Sequence, residues 1–251
     1  MILNKHLTIL LTTNTMPSAP STRLIENTIS SIRQRLKDSN LCETIIYCDT
    51  DIRKPNYDEY INRLNKIENV NVVDERDGCL QQNYLNGVLN SKTEFVLCCE
   101  HDWIFLRDID LTKLIDAMIK NKYINFVRFN KRDNHLAHID NPETGDKIFW
   151  ETYIEEDNSI NEQKLMKTNC IATHPHVIRK SKLMYDWLNV AKAPRPGITG
   201  AVEVNLYEAY SNDINRKGFN SAHKDWGIYN YGSKSDKKVI AHTDGSLSGR
   251  K

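Results

Sequence analysis

Two carboxylates at the end of an apolar run are the residues of this chain best suited to do chemistry. The segment EFVLCCEHDWIF, residues 94–105, is apolar through Cys99 and then meets Glu100, His101 and Asp102. On an extended backbone, side chains two residues apart point to one side. In open α/β sheets, ligands collect beyond the carboxyl ends of the strands. A pair of hard oxygen donors placed there suits a divalent cation, and such a cation would in turn hold a diphosphate. The same spacing occurs in a solvated turn, so spacing alone leaves both readings open. A second cluster, THPH at residues 173–176, puts His174 and His176 on one side if extended. Zinc would need a third ligand that is not evident nearby. Contact with a substrate and a structural place at a strand end are the other readings.

Elements able to position these residues can be traced along the chain. Apolar runs of strand length cover residues 6–13, 44–48, 70–73, 94–99 and 124–129. Helical spacing of apolar residues covers 21–37, with Ser21 as N-cap, and then 57–64, 80–89 and 111–119. Strands that are apolar throughout and alternate with helices predict a mostly parallel sheet with both faces covered. The second half is less regular. Residues 130–157 read as a polar loop anchored by Trp150 and Tyr153, and 191–200, with two prolines and two glycines, as another. A helix over 203–214 and a short strand over 239–241 follow. The expectation is one α/β domain over residues 1–251.

Composition narrows the function classes. The formal net charge is +1, with 39 % hydrophobic and 27 % charged residues, which offers no electrostatic case for nucleic acid. No run approaches the roughly 18 to 20 apolar residues of a membrane span. A soluble, cytoplasmic protein is expected, with any membrane association made through a partner. The six cysteines include no C-x-x-C pair, and free cysteine in apolar runs behaves as a small hydrophobe.

Glu100-His101-Asp102 resembles the DXD motif of GT-A-fold glycosyltransferases, with Glu in the first acidic place. DGCLQQNYLNGVL, residues 77–89, resembles the glycine turn and helix that precede that motif in family-two-like enzymes. The resemblance covers about residues 6–120 and implies a GT-A, Rossmann-like fold. It makes residues 1–120 the nucleotide-sugar half and 121–251 the acceptor half. It implies that Thr12, Asn14, Asp49, Gly78, Asn83 and His101 contact the donor. It implies that Glu100, Asp102 and His242 bind Mn²⁺ or Mg²⁺, and that Glu203 lies beneath the acceptor as catalytic base. A helix-start glutamate favoured by the macrodipole and a surface histidine are the plain alternatives for Glu203 and His242. Val204 stands where a second acid is often found, which leaves Glu208 as a reserve base.

The implied function is metal-dependent transfer of a sugar from a nucleotide diphosphate-sugar to an acceptor hydroxyl, of a glycan or another compound. A sugar nucleotidyltransferase is the first rival. It usually carries a glycine-rich phosphate loop after the first strand, where this chain reads NTMPSAPSTR. A non-catalytic carbohydrate-binding relative is the second. It should have lost a metal ligand, and all three candidates are present.

Overall fold

The computed structural model describes residues 2–14, 19–48, 56–75, 78–134, 154–194 and 201–243. The first strand, β1 (Leu7–Thr13), is buried at every position. It lies between two parallel neighbours, β2 (Glu43–Cys48) and β4 (Phe95–Glu100), with Leu10 level with Ile45 and Cys98. β3 (Asn71–Asp74) extends the sheet parallel to β2. The crossovers are α1 (Arg23–Arg35), α2 (Tyr57–Leu64) and α3 (Leu80–Asn90). After β5 (Trp103–Phe105), α4 (Leu111–Lys120) leads to β6 (Phe126–Arg128).

The other side of the sheet holds β7 (Ile154–Glu156), β8 (Leu165–Thr168), β9 (His176–Arg179) and β10 (Ile228–Tyr231). The order is β3-β2-β1-β4-β9-β6-β10-β8-β7. Tracing the pairings across it, seven of the nine strands point the same way, with β9 and β8 reversed. The α/β architecture and mostly parallel sheet expected from the sequence are therefore present. A helical stretch runs from α5 (Lys180–Lys182) through a π-helical turn (Leu183–Trp187) into α6 (Leu188–Ala191). Then come α7 (Ala201–Lys217), α8 (Phe219–Trp226) and β11 (Ile240–His242), which pairs with β5 in a separate two-stranded ribbon.

Alternation along β1 sorts the core into two layers. Leu7, Ile9 and Leu11 join the α1 and α4 residues, while Leu10 joins Tyr84, Leu85 and Val88 of α3 together with α7 and α8. α1 buries Ile25, Thr28, Ile29 and Ile32, the spacing of one helical face. Its N-cap position is Thr22 rather than Ser21, and the Thr22 hydroxyl donates to Glu26 at 2.5 Å. α3 approaches β1 so closely that a Cβ on Gly87 would lie 2.4 Å from Leu10 Cδ1. Leu10 is fully buried and has little room to retreat. We expect Gly87→Ala to lower stability by about 1–3 kcal/mol despite the better helix propensity of alanine. A shift of the urea midpoint to lower concentration is the readout, and an unchanged or higher midpoint refutes the packing argument.

Three strands of the second half, β8, β9 and β10, lie in stretches to which the sequence assigned no element, and β7 falls within the expected 130–157 loop. β9 settles the place of His176, which is fully buried. Its ring stacks on Phe126 and its Nε2 lies 2.9 Å from the Tyr84 hydroxyl. Burial pushes the pKa values of His176 and His223 down to about 4. The unfolded histidines titrate near 6.5. The folded values are depressed, so the unfolded chain binds more protons as pH falls from about 6.5 to 4. Stability present above that window is lost within it, up to about 3 kcal/mol per histidine. Unfolding midpoints should fall steeply from pH 7 to 4.5, and less steeply in His176→Gln. Parallel pH profiles would exclude His176 as a source.

Candidate active site

β1, β4, β6 and β10 all end at one edge of the sheet. The strand carrying the acidic pair stops at Glu100, and the chain turns at His101 and Asp102 before β5 begins at Trp103. The expectation that extended alternation aligns Glu100 with Asp102 therefore does not hold. A turn, not a strand, presents Asp102. The turn is anchored by His101 N donating to Thr12 O at 3.0 Å and by Thr28 Oγ1 donating to His101 O at 2.7 Å.

β11 brings in the C-terminal histidine. His242 is level with Trp103 across the ribbon, and both the amide and the hydroxyl of Thr243 donate to Asp102 O, at 2.7 and 2.9 Å. That register sets His242 Nε2 at 3.0 Å from Asp102 Oδ2. His101 Nε2 lies 3.9 Å from the same oxygen. Trp103 packs between His242 and His174, with ring centroids at 4.7 and 5.0 Å. Asp102 is 6 % exposed, and its Oδ1 is buried without a hydrogen-bond partner among the described residues.

Glu203 lies in the first turn of α7. Its Oε2 accepts from the backbone amide of Thr173 at 2.8 Å and from the Thr173 hydroxyl at 2.6 Å. Glu100 feels it: burial, then Asp102, then Glu203 push the Glu100 carboxyl up to about 7. Two carboxylates from one turn and a third far along the chain thus share one field. The reserve glutamate, Glu208, is exposed.

At the same edge, Thr12, Gln81, Tyr84, Glu100, Thr173 and Val202 line a cleft. Asn83 is fully buried, and both atoms of its amide lack partners among the described residues. A Cβ on Gly78 would come within 3.3 Å of that amide oxygen and 3.0 Å of Glu75 O, which accounts for glycine there. Asn14 is exposed just past β1. Asp49 lies outside the described residues, as do Asp77, His135, His138 and residues 195–200. A larger cavity, about 840 Å³, opens at the opposite end of β4 beside Glu94, Arg179 and Tyr185, and shares no residue with this edge.

Among the described residues, no three His, Cys, Asp or Glu side chains are gathered as a metal cluster. Of the three candidate ligands, Asp102 and His242 are in contact, and Glu100 is linked to Asp102 through its raised pKa. The donor set nevertheless fits a hard cation. Asp102 Oδ1 is buried and unused, and mutual repulsion among the carboxylates is the condition that a divalent ion relieves. Sequence reasoning missed Thr173 as the clamp on Glu203. It noted THPH for its histidines, and no local pattern shows that a threonine hydroxyl will meet a glutamate thirty residues on.

No protein-family model matches the chain, and no curated protein matches it. Solved structures do. Residues 1–349 of S. aureus TarS superpose with a TM-score of 0.54 at 13 % identity, over 96 % of this chain and 61 % of that one. The structure of TarS itself gives 0.54 at 12 %, over 96 % and 37 %. TarS 1-349 in complex with UDP-GlcNAc gives 0.52 at 13 %, over 95 % and 58 %. The chain thus spans less than two thirds of each of these three structures. The architecture of the present chain is GT-A-like. At these identities the likeness is one of fold.

Proposed function

We propose that the protein transfers a sugar from a nucleotide diphosphate-sugar to an acceptor hydroxyl, with Mn²⁺ or Mg²⁺ as cofactor. The observation that carries this reading is the meeting of Glu203, Glu100 and the Asp102–His242 pair at the carboxyl edge of a GT-A-like sheet. Asp102, His242 and Glu100 would hold the ion, which when bound supplies positive charge against the leaving diphosphate. Thr12, the Gly78 turn and the unpartnered Asn83 amide face the donor side, with Asn14, Asp49 and His101 as further donor contacts. Thr173 fixes one oxygen of Glu203 and leaves the carboxylate oriented to take a proton. In an inverting reaction the acceptor oxygen bonds to the anomeric carbon as the carbon–phosphate oxygen bond breaks. The hydroxyl proton passes to Glu203, and the nucleoside diphosphate departs. The superposition with TarS in complex with UDP-GlcNAc supports a nucleotide-sugar as the donor class to try first.

A panel of nucleotide-sugars incubated with and without Mn²⁺ tests the reading, with release of nucleoside diphosphate as the signal. Slow hydrolysis of one or a few donors, abolished by chelation, is expected. No release from any donor, together with no binding of any nucleoside diphosphate, would reject it.

A further inference from the structure

The carboxyl end of β6 carries cations that the donor chemistry leaves unused. Arg128 closes that strand and is 9 % exposed. Its guanidinium meets neutral partners, the Asn230 side-chain oxygen and Cys170 Sγ, and no carboxylate among the described residues. A buried cation without a counter-charge is costly unless an anion arrives. Lys131 and Arg132 follow at the strand end. Lys131 is exposed and has no salt bridge among the described residues. Although its residue reaches solvent, local desolvation holds its ammonium below the usual value, then Arg132 and Arg128 do so, with Glu203 acting in the opposite sense. His174 reports the same field. Burial, then Lys131 and Arg128, keep its pKa well below the usual value.

Placement separates these cations from the diphosphate. β9 stands between β4 and β6, so β6 lies two strand spacings, about 10 Å, sideways from the strand that ends at Glu100. Glu203 lies between the two sides: Thr173, which clamps its Oε2 at 2.8 and 2.6 Å, precedes β9, the strand that separates β4 from β6. The cations thus flank the base on the acceptor side. An ion bound at Asp102 would add positive charge to this edge and sharpen the need for an anion.

We propose that the acceptor is itself anionic, a hydroxyl compound whose phosphate or carboxylate group is held by Lys131 and Arg132 over the buried Arg128. This rests on the glycosyltransferase reading of the site. Calorimetry separates the two. The nucleoside diphosphate selected by the donor screen is titrated first with Mn²⁺, which tests that reading alone. With the donor site saturated, a methyl glycoside, its 6-phosphate and the corresponding uronide are titrated in turn. The expected result is that the phosphate or the uronide binds at least about tenfold more tightly than the neutral glycoside, and which of them does identifies the anion. That preference should shrink as NaCl is raised from about 50 to 500 mM, a measurement that needs no variant. It should approach unity in Lys131→Ala/Arg132→Ala. Equal or absent binding of all three compounds would overturn the proposal. So would a preference insensitive to both salt and the double substitution, or a double variant that loses nucleoside diphosphate binding and keeps the preference. Failure of the first titration would overturn the underlying reading and this proposal with it.

Discussion

Glu203→Gln is expected to fold normally, bind nucleoside diphosphate as the parent does, and lose on the order of 10² to 10⁴ in sugar transfer. Glutamine keeps an oxygen that can still accept from the Thr173 amide and hydroxyl, which hold Oε2 at 2.8 and 2.6 Å. The clamp therefore survives, and the proton acceptor does not. If Glu203 served only to complement the α7 dipole, its loss would cost about 0.3 to 1 kcal/mol of stability and no chemistry. Thermal unfolding and single-turnover transfer measured side by side distinguish the two. Transfer within a few-fold of the parent would remove Glu203 from the mechanism.

Asp102→Asn is expected to move binding and stability in different directions. The substitution keeps the shape of the side chain and its capacity to accept from His242, and the backbone carbonyl that anchors Thr243 is untouched. It removes one of three mutually repelling carboxylates, the group that together with burial and Glu203 raises Glu100 to about 7. The metal-free variant should be at least as stable as the parent. Affinity for nucleoside diphosphate in Mn²⁺ should fall on the order of 100-fold, since even indirect partners of a metal ligand are worth 10- to 100-fold. Calorimetry with and without Mn²⁺ reads the first effect and urea unfolding the second. Unchanged affinity would exclude Asp102 as a ligand.

The first half of the chain was largely legible. Runs such as HLTILLTT and EFVLCC are apolar at consecutive positions because both faces of β1 and β4 are covered, and a strand buried on both sides has no polar alternation to hide it. α2 reads at its observed bounds, Tyr57–Leu64, because its apolar residues repeat at helical spacing. β8, β9 and β10 escaped for the opposite reason. Each is four residues long, too short for a run to stand out, with a lysine, histidine or asparagine among its four residues, and each is fixed by neighbours distant in sequence. Propensity over four residues is too weak to compete with what tertiary pairing supplies.

The candidate site divides along the same line. Sequence alone determined that a buried strand delivers Glu100 and Asp102 to a sheet edge, and it marked Gly78, Asn83, Glu203 and His242 through a family pattern. Only the tertiary structure decided that a turn presents Asp102, that the β5–β11 ribbon puts His242 against it, and that Thr173 holds Glu203. It alone showed that the end of β6 gathers Arg128, Lys131 and Arg132, with Lys131 within electrostatic reach of that glutamate. The reason is physical. Burial of an apolar run is a property of the run itself, whereas the meeting of side chains more than a hundred positions apart depends on strand order and register, which no local pattern encodes.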